Sequence, residues 1–360
     1  MYRVLVVVVV ALGCGGKAQQ PSVGSAAEPA AAVARPTGNL VWVKPALAPP
    51  GDDPLPPPPS PDPMQRDRLM VLDVAAKASI DIGEPGEHGR VTRTAAGDGA
   101  YLVGLHAIRM IHKVASGWKT DDTSLGQGFS VAPDGSSVLR LGAGGLCVAA
   151  PGAADCSAKL ALPFEAWDPS DTAYTSGNRL VVWDAEGKQD GAAVAMGMKL
   201  QVAVADLTTQ TASRLDVPAI GFLATVSPDG RLAWIENQHD ELVLAVAPLD
   251  QLAAKKTFDL GPARAQSDAQ CTFAGERILC VVRPAFALVS LSLRDGSIVP
   301  LERGLVVPGA VFPSPDGRWV AYLRTSETLE DSKWLMTPVD RAASEPLPID
   351  GGARILTWLR

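Results

Sequence analysis

Short apolar runs recur along the chain, and the same kind of turn cuts them again and again. Ala132-Pro133-Asp134-Gly135 precedes Ser136-Ser137-Val138-Leu139; Ser227-Pro228-Asp229-Gly230 precedes Arg231-Leu232-Ala233-Trp234; Ser314-Pro315-Asp316-Gly317 precedes Arg318-Trp319-Val320-Ala321-Tyr322. A short apolar strand leads into each turn, for instance Gly221 to Val226 or Ala310 to Phe312. In such a turn Pro presets φ, Asp accepts a bond from the backbone two residues on, and Gly takes a positive φ. The pattern predicts many short strands rather than long helices. Composition points the same way, with 34 Gly, 30 Pro and only 5% aromatic residues in 360.

Three weaker copies fill the gaps. They are Gly97-Asp98-Gly99 before Ala100, Pro169-Ser170-Asp171 before Thr172-Ala173-Tyr174, and Ala274-Gly275-Glu276 before Arg277-Ile278-Leu279. Across all six copies the Asp slots fall at 98, 134, 170, 229, 275 and 316, with steps of 36, 36, 59, 46 and 41. A period near 40 with several strands per unit is a propeller or array signature. The long step contains a Gly- and Ala-rich insertion, Gly187 to Lys199.

Ser-Pro-Asp-Gly-Arg followed by an apolar strand resembles the repeat of TolB-type, WD-repeat-like β-propellers. The resemblance covers residues 38–360. It implies third strands at Val202–Leu207, Leu288–Leu293 and Trp334–Val339, with fourth strands such as Ser213–Leu215 and Ser297–Leu301. Asn39 to Val43 reads as a strand and Leu69 to Val74 as a third strand, with a Pro-rich loop insertion at 45–63 between them. That blade lacks a first strand, which Arg354 to Leu359 supplies. The expected fold is therefore an all-β propeller of seven four-stranded blades, closed by the C-terminal strand, with six or eight blades as neighbouring solutions. Helix is the competing reading for Leu69–Ile80, and a helical turn for Leu249–Phe258.

The N-terminus carries one positive charge, Arg3, then an apolar run from Val4 to Leu12, then Gly13-Cys14. Nine apolar residues are too few to span a bilayer, and the pattern is that of a secretory signal. Small residues ahead of Cys14 resemble the bacterial lipobox, which implies a signal peptide at 1–13 and a diacylglyceryl thioether on Cys14. The alternative is an ordinary cleaved signal with an incidental Cys14. Residues 14–37 read as a lipidated Cys and flexible tether. Gly15 is not the Asp linked to inner-membrane retention, so the outer membrane is favoured.

Four cysteines remain: Cys147, Cys156, Cys271 and Cys280. An even remainder in an exported chain invites disulfides. A hairpin folded at Pro151-Gly152 sets 147 opposite 156, and one folded at Gly275-Glu276 sets 271 opposite 280. Opposed Cβ atoms lie about 4.5–5.5 Å apart, close to disulfide reach. The alternative is two buried thiols in each hairpin. No Cys-x-x-Cys motif occurs.

No catalytic constellation, metal site or cofactor motif stands out. Of the four histidines, His88, His106, His112 and His239, only His106 and His112 share a face if their strand is unbroken, and no third ligand follows by spacing. Innermost strands are expected to carry Gln127, Ser130, Glu165, Asp168, Thr225 and Thr272, with no His and almost no cation. Glu165 and Asp168 form a candidate acid pair but read more simply as rim residues. Asp121-Asp122 and Asp52-Asp53 lack calcium-loop spacing. A net charge of −7, from 32 Lys plus Arg against 39 Asp plus Glu, argues against nucleic acid as partner. The reading is a non-enzymatic envelope lipoprotein, periplasmic or surface-facing, whose propeller is a protein interaction platform. The alternative is a small-ligand receptor or enzyme using the central channel. The separate N-terminal domain of TolB itself is expected to be absent, and so is a peptidase-type α/β domain.

Overall fold

In a computed structural model the described residues are 35–46, 67–86, 89–104, 106–142, 145–153, 155–156, 158–164, 172–176, 178–185, 200–217, 224–238, 241–262, 269–326 and 331–360. The signal segment, Cys14 and most of the tether lie outside them, as do most of the Pro-rich insertion and the Gly187–Lys199 insertion.

Twenty-eight strands form seven antiparallel four-stranded sheets. Blade 1 takes β1 (Asn39–Lys44), β2 (Arg68–Asp73) and β3 (Ala78–Gly83). Blade 2 is β4 (Arg90–Arg93), β5 (Gly99–Val103), β6 (Ile108–Val114) and β7 (Gly117–Asp122). Blade 3 is β8 (Ser130–Val131), β9 (Val138–Gly142), β10 (Gly145–Ala149) and β11 (Ala158–Lys159). Blade 4 is β12 (Thr172–Thr175), β13 (Arg179–Ala185), β14 (Leu200–Asp206) and β15 (Thr211–Leu215). Blade 5 is β16 (Ala224–Val226), β17 (Arg231–Gln238), β18 (Glu241–Pro248) and β19 (Lys256–Pro262). Blade 6 is β20 (Ala269–Ala274), β21 (Arg277–Val282), β22 (Ala287–Ser292) and β23 (Ile298–Glu302). Blade 7 is β24 (Leu305–Pro313), β25 (Trp319–Thr325), β26 (Lys333–Pro338) and β27 (Glu345–Pro346). The last strand, β28 (Arg354–Leu359), joins blade 1 inside β1, pairing Leu40 with Trp358 and Val41 with Thr357. It lies between β24 and β4, which closes the ring of first strands.

Seven hydrophobic clusters fill the seven seams between neighbouring blades. Sheets are covered on both faces, so the second strands carry apolar runs rather than strict alternation; β5 is buried at all five positions. The largest seam joins blades 7 and 1 and collects Trp42, Trp319, Trp334 and Trp358. Among the described residues no helix is long and apolar enough to cross a membrane.

Several expectations change. Leu69–Ile80 is the β2–β3 hairpin, not a helix. Leu249–Phe258 holds one 3-10 turn, Leu252–Ala254, before β19. Thr172–Tyr174 was expected as a second strand but belongs to the first strand of blade 4. The link from the first strand to the second of that blade includes Ser176 and Asn178, and Asn178 has a positive φ of +57°. The upstream Ser170-Asp171 has the right letters one strand too early. Cys147 sits opposite Lys159, not Cys156, because Cys156 precedes β11 rather than pairing in it. Its sulfur still lies at disulfide distance from that of Cys147. Cys271 and Cys280 are directly opposed as expected, with Cα atoms 4.1 Å apart.

Candidate functional site

All first-to-second-strand turns open on one end of the ring, and their chemistry follows from the repeat. In blade 7 the Ser314 hydroxyl donates to Asp316 Oδ1 at 2.5 Å and accepts from the Trp319 N–H at 2.9 Å. In blade 5 the Ser227 hydroxyl bonds Asp229 and accepts from the Arg231 N–H at 2.8 Å. Thr94 plays this part in blade 2, donating to Asp98 at 3.0 Å. The glycine closing each turn has a positive φ: +72° at Gly135, +86° at Gly230, +68° at Gly317.

These turns also latch blade to blade. The Ala95 N–H donates to the Pro133 carbonyl at 2.8 Å, and the Ser176 N–H to the Pro228 carbonyl at 2.9 Å. Arg360 closes the circle, its N–H donating to the Gly97 carbonyl at 2.8 Å. From blade 5, Arg231 holds Asp229 at 3.0 Å, donates to the Gly275 carbonyl at 3.1 Å and lies 5.5 Å over the Phe273 ring. Burial pushes the Asp229 carboxyl up, but the Ser227 hydroxyl and Arg231 outweigh it and hold the group below its ordinary value.

Blade 3 departs from this pattern. Ala132 stands where blades 5 and 7 have Ser, and Ser136 where they have Arg. Asp134 is exposed, and its Oδ1 accepts the Ser136 N–H at 2.9 Å. The Ser136 hydroxyl and backbone hold its carboxyl below the ordinary 3.8. No cation pairs with it among the described residues.

Beside Asp134 opens a cavity of about 320 Å³ where the turns of blades 2 to 5 meet. Ala95, Ala132, Pro133 and Pro228 give it apolar walls, while Asp134, Tyr174, Thr175, Ser176 and Asn178 complete it. Two buried hydroxyls, Tyr174 Oη and Ser137 Oγ, interact with each other without a well-formed hydrogen bond, and neither has another partner among the described residues. Burial pushes the Tyr174 phenol up, and the Asp134 charge adds to the effect; the same two causes raise Tyr101. A permanent negative charge therefore sits beside two neutral phenols. The arrangement suits binding of a group with an apolar stem and a positive end.

The sequence pointed to Asp134, Gly135, Asp229, Gly230, Asp316 and Gly317 as repeat turns, and the fold puts them all on this end. It did not single out Tyr174 or Ser137. Their signal, two polar residues in apolar strands of adjacent blades, is too common to stand out. Of the expected channel residues, Ser130, Thr225 and Thr272 do lie on innermost strands, whereas Gln127 precedes β8. Glu165 and Asp168 lie outside the described residues. Cations are present after all: β4 carries Arg90 and Arg93, and β28 carries Arg354. His106 precedes β6, so it does not share a strand face with His112, which instead meets Asp121 at 3.2 Å. Asp122 pairs with Arg109 at 3.2 Å, so the Asp121-Asp122 pair is spent on surface ion pairs. No cluster of three metal-ligating side chains occurs among the described residues; His88, His239 and Asp52-Asp53 lie outside them.

No protein-family model matches the chain, and no curated protein matches it. Solved structures similar to it include TolB from Acinetobacter baumannii, at 14% identity and a TM-score of 0.46 over 89% of this chain and 66% of that one. The β-propeller domain of the Trilobed protease from Pyrococcus furiosus is similar at 11% identity and a TM-score of 0.47, over 81% of this chain and 92% of that one. AztD from Citrobacter koseri is similar at 12% identity and a TM-score of 0.46, over 86% of this chain and 82% of that one.

Proposed function

We propose that the chain is an exported envelope protein, anchored through lipid on Cys14, whose propeller binds a partner protein and performs no chemistry of its own. The observation that carries this is the cavity on the turn end. It lies where four blades meet, on a frame latched by backbone bonds, and it holds a carboxylate that no cation pairs with among the described residues. A rigid, preorganised surface with one anchor pocket is what a protein interface uses. The two cysteine pairs at disulfide distance fit an oxidising compartment such as the periplasm. An acidic chain with net charge −7 fits a protein partner better than nucleic acid. The favoured site of anchoring is the outer membrane.

In-cell crosslinking tests this reading. A photo-reactive residue at exposed Ser176 is expected to capture one stoichiometric envelope partner, identified by mass spectrometry. A clean monomer would sink the platform reading. The Cys14→Ala variant is expected to leave the membrane fraction, and intact mass of the native chain to show four hydrogens lost to two disulfides.

One observation favours a second reading, a receptor for a small anion in the channel. Arg93, on innermost β4, has the Trp358 carbonyl at 3.5 Å as its hydrogen-bond partner among the described residues, and burial lowers its pKa. Sulfate that raises Tm of the wild type but not of Arg93→Met would support this reading.

A further inference from the structure

We infer that the cavity beside Asp134 recognises an alkylammonium group, presented by a lysine side chain of the partner. The inference rests on the reading of the propeller as a partner-binding protein and adds the chemistry of the anchor.

The first ground is the state of the carboxylate. The repeat turn offers an Asp in blades 3, 5 and 7. Blade 7 engages it with the Ser314 hydroxyl; blade 5 engages it with the Ser227 hydroxyl and with Arg231. In blade 3 Ala132 and Ser136 occupy those positions; Ser136 bonds the carboxylate through its N–H and hydroxyl, but supplies no charge. Asp134 thus has no counter-charge among the described residues, and it is the one of the three that lines the cavity. A charge-assisted bond there contributes more than a neutral one.

The second ground is shape. Ala95, Ala132, Pro133 and Pro228 offer apolar contact but no donor or acceptor side chain. That suits four methylenes, and about 320 Å³ holds such a stem with room to spare. The Tyr174 ring adds an aromatic wall against which a cation is favourably placed. The third ground selects lysine over arginine. Oδ1 of Asp134 is already occupied by the Ser136 N–H at 2.9 Å. The Ser136 hydroxyl bonds the same carboxylate, so part of its acceptor capacity is spent, which serves a point-like ammonium better than a guanidinium fork that wants both oxygens.

Fluorine NMR on the full lipidated chain in detergent, labelled with 3-fluorotyrosine, tests this. The sequence has four tyrosines, so the spectrum is simple. Titrating n-butylammonium is expected to move the Tyr174 and Tyr101 signals and leave Tyr322, in blade 7, unmoved. Neither n-butanol nor butyrate is expected to do so. Asp134→Asn keeps an acceptor for the Ser136 N–H and so keeps the turn; it is expected to weaken the butylammonium response about tenfold. Equal responses to butanol, or an unchanged response in Asp134→Asn, would overturn the inference. The Ser176 crosslink separates the two levels. A partner captured equally well by Asp134→Asn overturns the lysine anchor while the platform stands. An Asp134-dependent butylammonium site with no captured partner supports the pocket chemistry and overturns its source in a partner protein.

Discussion

The turn of blade 3 and the turns of blades 5 and 7 share Pro-Asp-Gly and a positive-φ glycine, yet they do different work. In blades 5 and 7 the serine hydroxyl spans the turn, bonding the aspartate on one side and the next strand's N–H on the other. Blade 5 goes further and sends Arg231 across to blade 6. The polar groups of these turns are consumed by the frame. In blade 3 an alanine breaks the relay, so the carboxylate is left over. The comparison teaches that a repeat advertises function where it fails: identical turns hold the ring together, and the degenerate one is free to meet a ligand.

The largest expected effect lies in the glycines. A Cβ on Gly317 would stand 2.9 Å from backbone atoms of Ala274 and Gly275, at a φ of +68°. Gly317→Ala is expected to cost about 3 kcal/mol in urea unfolding. In blade 3 the obstacle to a Gly135 Cβ is the end of a side chain, the Tyr101 hydroxyl at 2.7 Å. Gly135→Ala is expected to cost about 1–2 kcal/mol, mainly from its φ. Equal costs would erase the distinction between a latched turn and a looser one.

Next come the serines. Ser227→Ala and Ser314→Ala each remove a buried bond to a carboxylate and are expected to cost about 1–2 kcal/mol. Ala132→Ser installs the missing relay. It is expected to stabilise the fold by about 1 kcal/mol and to weaken butylammonium binding. If stability rises while binding is untouched, Asp134 is not the recognising group. Tyr174→Phe is expected to change stability by less than about 0.5 kcal/mol, or to raise it, because the contact between its hydroxyl and Ser137 is not a well-formed hydrogen bond. A clear loss of stability would mean that the hydroxyl is satisfied.

The smallest effect is a titration. Tyr322 donates to Glu302 at 3.1 Å and meets Ser344 at 2.6 Å, and burial chiefly pushes its phenol up to about 12. The neutral phenol is the form the fold prefers. Its contribution is therefore complete below the unfolded value of 10.0 and is lost as pH rises from there through about 12. Ultraviolet titration should show delayed tyrosine ionisation, and stability should decline over that window. Ionisation near pH 10 in the folded chain would contradict this.

Much of the fold was readable because a propeller writes each blade in the same order. Pro-Asp-Gly marks the turn, apolar runs mark strands buried on both faces, and the spare strand at Arg354–Leu359 matches the incomplete blade at Asn39. Blade 4 misled because its strands are joined through Ser176-Gly177-Asn178, which lacks the Pro-Asp pair, while Pro169-Ser170-Asp171 upstream offered the closer match in letters. Cys147 and Cys156 were paired on a hairpin register that β11 does not keep, yet proximity in sequence brought them together all the same. The cavity was only half visible. Asp134 was in view as a turn residue, but its freedom depends on what Ala132 lacks, and its neighbours Tyr174 and Pro228 arrive from blades 40 and 94 residues further on.

Ring closure by β28 sets a timetable. Asn39 and Arg360, joined by a 3.0 Å bond, stand 321 positions apart. At about 5–20 residues per second of synthesis, the innermost edge of β1 waits roughly 15–60 seconds for its partner. During that interval an apolar strand presents an unpaired edge, the template for pairing with another chain. Arg354–Leu359 is thus the clasp that ends this period of exposure, and a ribosome that stalls before it leaves an open string of blades.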